Sequence, residues 1–179
     1  MDTSNKAYPP FPILATKRLT LRRLSMDDAQ EVFILRSDSE INKYLDRQLS
    51  TSFQDAINFI SQVNENIDKK NALYWGVTIQ DTNKIIGAVG IFNVSIDKEN
   101  CEIGYELLTN FQNQGIMKEA IEKVIDYTFN TIKIKHIEAF LHNENERSVN
   151  LLEKLSFKKP NETNERNAEI ISYHLTNSN

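Results

Sequence analysis

Cysteine is nearly absent. Cys101 is the only one, so no disulfide can form within the chain. The three histidines, His136, His142 and His174, are scattered, and no Cys/His cluster has zinc spacing, so no metal is expected. Glycine and proline are scarce, at 5 and 4 of 179 residues, which excludes collagen-like and linker-rich architectures. No apolar run approaches the ~20 residues of a membrane-spanning helix, so no membrane role is expected. Positive charge is not in excess. Lys+Arg number 21 against 25 Asp+Glu, a net charge of −4, which argues against DNA or other non-specific nucleic-acid binding as the main task. Residues 1–12 carry one lysine, three prolines and no apolar stretch of their own, unlike a secretory leader. The expectation is a flexible arm over 1–12, a single domain over 13–179 and a cytoplasmic location.

Apolar residues make up 40% of the chain and charged residues 26%, a globular balance. A chain of this length can bury one real core without staples. Leu19–Leu24 reads as a first strand. Ser25 followed by Asp28 has the spacing of a helix start, which predicts a helix over about 26–37. Ser52 and Asp55 repeat that signal, and Phe53, Ile57, Ile60, Val63 and Ile67 recur at steps of three and four, an amphipathic helix ending near Lys70. The period then changes. Segments 73–79, 85–92 and 101–108 are β-branched and aromatic, and short polar turns separate them, which predicts an antiparallel meander. A helix follows Gly115, with Met117, Ile121, Val124 and Thr128 on one stripe. His136–Leu141 reads as a strand, Asn145 opens a short helix through Leu155, and a strand over 168–175 closes the chain. The order β-α-α-βββ-α-β-α-β implies an α+β fold, a mixed and mainly antiparallel central sheet with helices on both faces.

The stretch from Cys101 to Ala120 is the informative one. A strand ends in a turn, and Gly115 opens a helix. A helix N-terminus presents unpaired N–H groups and about half a positive charge, so anions bind there. Glycine lets backbone approach a ligand closely. On spacing alone the stretch is equally a plain strand-to-helix turn, since one glycine is far weaker than a glycine-rich nucleotide loop.

The residues Glu102-Ile103-Gly104-Tyr105-Glu106-Leu107, followed by Phe111 to Ala120, resemble the central motif of GCN5-related N-acetyltransferases (GNAT). That motif, Arg/Gln-x-x-Gly-x-Gly/Ala, is filled here by Gln112, Gly115 and Met117. Asn145-Glu146-Arg147-Ser148 and Leu152-Glu153-Lys154-Leu155-Ser156-Phe157 are similar to the Asn-x-x-Ser and Leu-Glu-Lys-x-Gly-Phe segments of the RimJ/RimL-like branch. Arg18-Leu19-Thr20-Leu21-Arg22 also fits that branch, and the likeness spans about 17–175.

The resemblance implies an acetyl-CoA-dependent N-acetyltransferase acting directly in a ternary complex, with acetyl-CoA as cosubstrate and no metal. Acetyl-CoA would lie where strands 101–108 and 136–142 splay apart. Leu107 and Leu108 backbone would pair with pantetheine amides, and Gln112, Asn113, Gln114, Gly115, Ile116 and Met117 would hold the pyrophosphate through backbone N–H groups. Such an anion site is built of dipoles and needs few cationic side chains. Asn145 would face the cofactor, and it is also a good N-cap. Where other members place a tyrosine as proton donor this chain has Leu152, which leaves Ser148, or a water it holds, as the candidate acid. An amine attacks only when neutral, so Glu102 is the candidate base, directly or through water, with Glu106 on the same side as back-up. Tyr105, on the opposite side, reads as core. Each residue also has a bland reading: strand glutamates in cross-strand pairs, a small residue in a helix turn.

Two departures from the family pattern stand out. Met117 replaces a small residue and narrows the phosphate loop, and Ser156 replaces a glycine. Trp75 and Tyr44 are candidates for the acceptor pocket, with core packing the stronger expectation for Trp75. Cys101 is not needed as a nucleophile. The acceptor is expected to be a primary amine, favoured as a protein N-terminus of ribosomal-protein type. The alternatives are a small amine (polyamine, amino sugar or amino acid) and a non-catalytic acyl-CoA-binding sensor. Acidic residues at 38–40 and 162–169 would favour a cationic acceptor if they flanked its mouth. The chain is expected to be a monomer or homodimer.

Overall fold

The computed structural model describes residues 11–95, 97–160 and 169–177. Seven strands form one sheet in chain order: β1 (Leu14–Ala15), β2 (Leu19–Arg22), β3 (Leu73–Ile79), β4 (Ile85–Phe92), β5 (Asn100–Leu107), β6 (His136–His142) and β7 (Ile170–Thr176). Every neighbouring pair is antiparallel except β5 and β6, which are parallel. The helices are α1 (Ala29–Ser37), α2 (Ser39–Asn42), α3 (Phe53–Asp68), α4 (Ile116–Tyr127) and α5 (Glu146–Lys154).

The helix starts follow local chemistry. At α3, Ser52 Oγ accepts the Asp55 N–H at 3.3 Å and Asp55 Oδ2 accepts the Ser52 N–H at 2.9 Å, a reciprocal cap that satisfies otherwise orphaned donors. Ahead of α1, a single tight turn at Met26–Asp28 is held by Asp28 Oδ2, which accepts the Ser25 N–H at 2.7 Å. Asp38 caps α2, accepting from Glu40 and Ile41 N–H at 2.8 and 3.0 Å. That acid is therefore spent on a helix end. The acidic cluster expected around 162–169 lies outside the described residues apart from Glu169, whose carboxylate lies 3.9 Å from His142 Nε2.

One face of the sheet packs against α4 and α5, through Ile116, Met117, Ala120, Ile121, Val124, Leu152 and Leu155; the other packs against α1 and α3, through Val32, Leu35, Ala56, Ile60 and Val63. The strands β3 and β4 are covered on both sides and nearly wholly buried. Burial at these strands explains why they read as continuous apolar runs. Trp75 is fully buried and donates its Nε1–H to Pro12 O at 2.9 Å, with Phe11 5.4 Å away ring to ring. Trp75 is thus core, and residues 11 and 12 of the expected arm are pinned against it. The rest of that arm lies outside the described residues.

Candidate active site

The strands β5 and β6 pair only over Asn100–Glu102 and His136–Glu138. Beyond that point they diverge. The Leu108 N–H donates to Ile86 O at 2.9 Å, so by alternation the even residues of β5 bond toward β4. The N–H and C=O groups of Ile103, Tyr105 and Leu107 therefore face the open wedge. This corrects one expectation. Leu108 backbone is already bonded, its N–H to Ile86 and its C=O to the Phe111 N–H at 2.9 Å. Leu107 points into the wedge, with its C=O accepting from Gln112 Nε2 at 3.0 Å.

Two helices begin at the wide end of this wedge, as expected at the carboxyl ends of parallel strands. Gly115 caps α4 with φ +71°, and Asn113 also has positive φ, +60°. Left-handed backbone of this kind favours glycine and turns N–H groups outward. Asn113, Gln114 and Gly115 are exposed, and the first ladder bond of α4 is Glu119 N–H to Gly115 O. The N–H groups of Ile116, Met117 and Lys118 thus precede the ladder. The Met117 side chain is buried in the core, so its size does not narrow the loop, contrary to the sequence-based expectation. Asn145 Oδ1 accepts the Ser148 N–H at 3.2 Å and caps α5. Arg147 Nη1 donates to Gln112 Oε1 at 2.8 Å and ties the two helix starts together across the mouth. Arg18 donates to Gln114 O at 3.1 Å and pairs with Glu119 at 2.6 Å, which places a cation beside the α4 start. Arg18 and Arg147 were not found from the sequence, because their partners lie 96 and 35 residues away.

The two sides of β5 hold different chemistry. On the α4 side, the Tyr105 hydroxyl lies 3.2 Å from Ser148 Oγ. Burial pushes the Tyr105 phenol up to about 12, so it remains a proton donor at neutral pH. Tyr105 is half-buried and packs against the core, as expected, while its hydroxyl reaches Ser148. Leu152 is fully buried, so no polar group is available there. On the other side, Glu102 stands opposite Glu138 in the last β5–β6 pair, at the apex of the wedge, and Glu138 in turn stands opposite His174. Glu102 is half-buried and makes no hydrogen bond or ion pair among the described residues. Glu106, by contrast, is buried; one oxygen pairs with Arg47 and the other accepts from the Tyr74 hydroxyl at 2.8 Å. Burial and the Glu106 charge push the Tyr74 phenol well above its ordinary value. Arg47 is steadied by Asn42 Oδ1 at 2.6 Å. Tyr44 stacks on His142, with centroids 5.4 Å apart, and so bridges the loop after α2 to the end of β6. Cys101 is buried and its thiol is pushed up to about 12 by burial, which removes it as a nucleophile.

The fold is α+β, its sheet splays at a parallel pair, and two helices begin at the mouth of the open strand edge. Residues 18–158 match the family model described as an acetyltransferase (GNAT) domain. The chain belongs to this family, and it is an acetyl-CoA-dependent N-acetyltransferase. It is 37% identical over 148 residues to the uncharacterized N-acetyltransferase p20 of Bacillus licheniformis, with 82% of each chain covered. It is 33% identical over 149 residues to the uncharacterized N-acetyltransferase YoaA of Bacillus subtilis, covering 83% of this chain and 84% of that one. In fold it is similar to the ribosomal-protein-S5-alanine acetyltransferase of Vibrio fischeri, with a TM-score of 0.78, 22% identity, and 93% and 97% of the two chains covered.

Proposed function

We propose that the chain transfers the acetyl group of acetyl-CoA to the N-terminal amine of a protein or peptide. The observation that carries this reading is the end of β5–β6 pairing at Glu102 and Glu138, which leaves an extended backbone edge leading from a helix N-terminus to a free carboxylate. Pantetheine amides pair with Leu107 and the strand edge behind it. The pyrophosphate takes the N–H groups of the loop from Asn113 to Met117, between Gln112 and Asn145, with Arg18 close by. The neutral amine attacks the thioester carbonyl, the C–N bond forms, and the C–S bond breaks as the tetrahedral adduct collapses. The proton lost by the amine goes to Glu102, directly or through water. The departing thiolate takes a proton from the Tyr105–Ser148 hydroxyl pair. Glu102 suits the base because its carboxylate is free, whereas Glu106 has both oxygens bonded. The protein-terminus acceptor is supported by the RimJ/RimL-like motifs and by the likeness to the S5-alanine enzyme.

Release of CoA thiol tests the reading. Short peptides with free N-termini should give a kcat/KM at least tenfold above those of spermidine and glucosamine. A small amine that exceeded every peptide would contradict the peptide assignment and leave the transferase intact.

A further inference from the structure

The face of β5 that carries Glu102 and Glu106 is electrically polarised along its length. At the apex, Glu102 and Glu138 stand side by side on one face. Four residues on, roughly 13 Å along the strand, the sign reverses. Glu106 is matched by Arg47, and a second guanidinium lies within electrostatic range of both. This is Arg36, at the end of α1. Its Cζ sits 3.8 Å from the centroid of the Phe59 ring on α3. Its Nε is buried and has no hydrogen-bond partner among the described residues. Two arginines against one carboxylate leave one positive charge unmatched. The acid nearest in sequence, Asp38, gives its Oδ1 to the α2 cap.

Burying a charged donor without a partner is costly. Guanidinium is the group best suited to meet a carboxylate or phosphate through paired N–H bonds. Stacking on Phe59 fixes its plane, and Asn42 holds Arg47 in place beside it. Building on the transferase reading, we infer that the acceptor is a primary amine carrying a carboxylate or phosphate several bonds away, with the anion held by Arg36 and Arg47 while the amine lies toward Glu102 and Glu138. A peptide N-terminus with an acidic second or third residue has this form. A linear amino acid with its amine remote from its carboxylate presents the same chemistry. The acids at 38–40 would favour a cationic acceptor only by flanking its mouth, whereas Arg36 and Arg47 bring positive charge beside Glu106.

Matched pairs test the inference: the amidated peptides Ser-Asp-Ala-Ala and Ser-Asn-Ala-Ala, and 6-aminohexanoate with 6-aminohexanamide. Calorimetry on the protein saturated with CoA reads binding without turnover, and CoA release from acetyl-CoA reads turnover. The acidic member of at least one pair should bind at least tenfold more tightly, and whichever pair shows it separates peptide from small molecule. Arg36→Gln should shrink that preference at least fivefold in both assays, and Arg36→Lys should retain most of it. The thermal shift from acetyl-CoA reports that each variant is folded. Equal binding within both pairs, or a preference unchanged in Arg36→Gln, would overturn the inference. Selective binding without release of CoA would uphold the anion site and count against the transferase reading.

Discussion

Glu102 and Glu106 differ by four positions on one strand face, yet only Glu102 keeps its oxygens free of protein partners. If it takes the amine's proton, Glu102→Gln preserves shape and removes the base. General base catalysis contributes typically about 10²–10⁴-fold, so kcat should fall by that order while acetyl-CoA binding hardly changes. The acidic limb of the pH–rate profile should move as well. A Glu102→Gln enzyme within threefold of wild type, with the same acidic limb, would remove Glu102 from the mechanism. At this scale the sequence was legible where a residue's reason is local. Gly115 is such a case: it adopts the positive φ of a helix start. The reason for Ser156 was only half visible. Its departure from glycine could be read, but not its φ of +67°, a left-handed position that costs a side chain some energy. Tyr105 packs against the core as read, but its hydroxyl contact with Ser148, 43 residues away, was not legible.

Among the elements, helix starts were legible because capping is a matter of three or four residues. The strand β1 and the helix α2, of two and four residues, carry no periodicity to read. The parallel β5–β6 contact was not readable from spacing either, since α4 intervenes between them. One start does more than cap. Asp28 is buried, and its carboxylate bonds Arg22 on β2 at 2.7 and 2.8 Å, which ties α1 to the sheet. Burial alone would raise the carboxyl, but the bonds to Arg22 and Ser25 outweigh it and hold it below its usual range. A depressed native value stabilises the fold above the unfolded value of about 3.9, and that contribution is lost as pH falls through the native one. Asp28→Asn should therefore cost about 3 kcal/mol near neutral pH, roughly 6–12 °C in Tm. The gap from wild type should close as pH drops below about 4. Melting curves from pH 7 to pH 3 read this directly, and a constant gap would show that Asp28 is neutral or unpaired in the native protein.

For the whole molecule, the chemistry is proposed to lie at the parallel junction of β5 and β6. In the proposed placement, covered strands on one side supply rigidity, the free edge of β5 supplies backbone groups for pantetheine, and the two helix starts supply N–H groups for the pyrophosphate. An acidic chain can therefore bind an acidic cosubstrate. The most direct measurement is thermal stability with ligand. Acetyl-CoA at about 100 times its Kd should add about 2.7 kcal/mol, a rise of roughly 5–10 °C. ATP, which lacks the pantetheine arm, should do much less. Gly115→Asp would place a carboxylate where the pyrophosphate is proposed to sit and within reach of Arg18, whose Nη2 lies 3.6 Å from where a Cβ would stand. That variant should fold and lose at least tenfold in affinity for acetyl-CoA, about 1.4 kcal/mol. Equal shifts from ATP and acetyl-CoA, or a folded Gly115→Asp protein with unchanged affinity, would contradict the placement of the cosubstrate in this cleft.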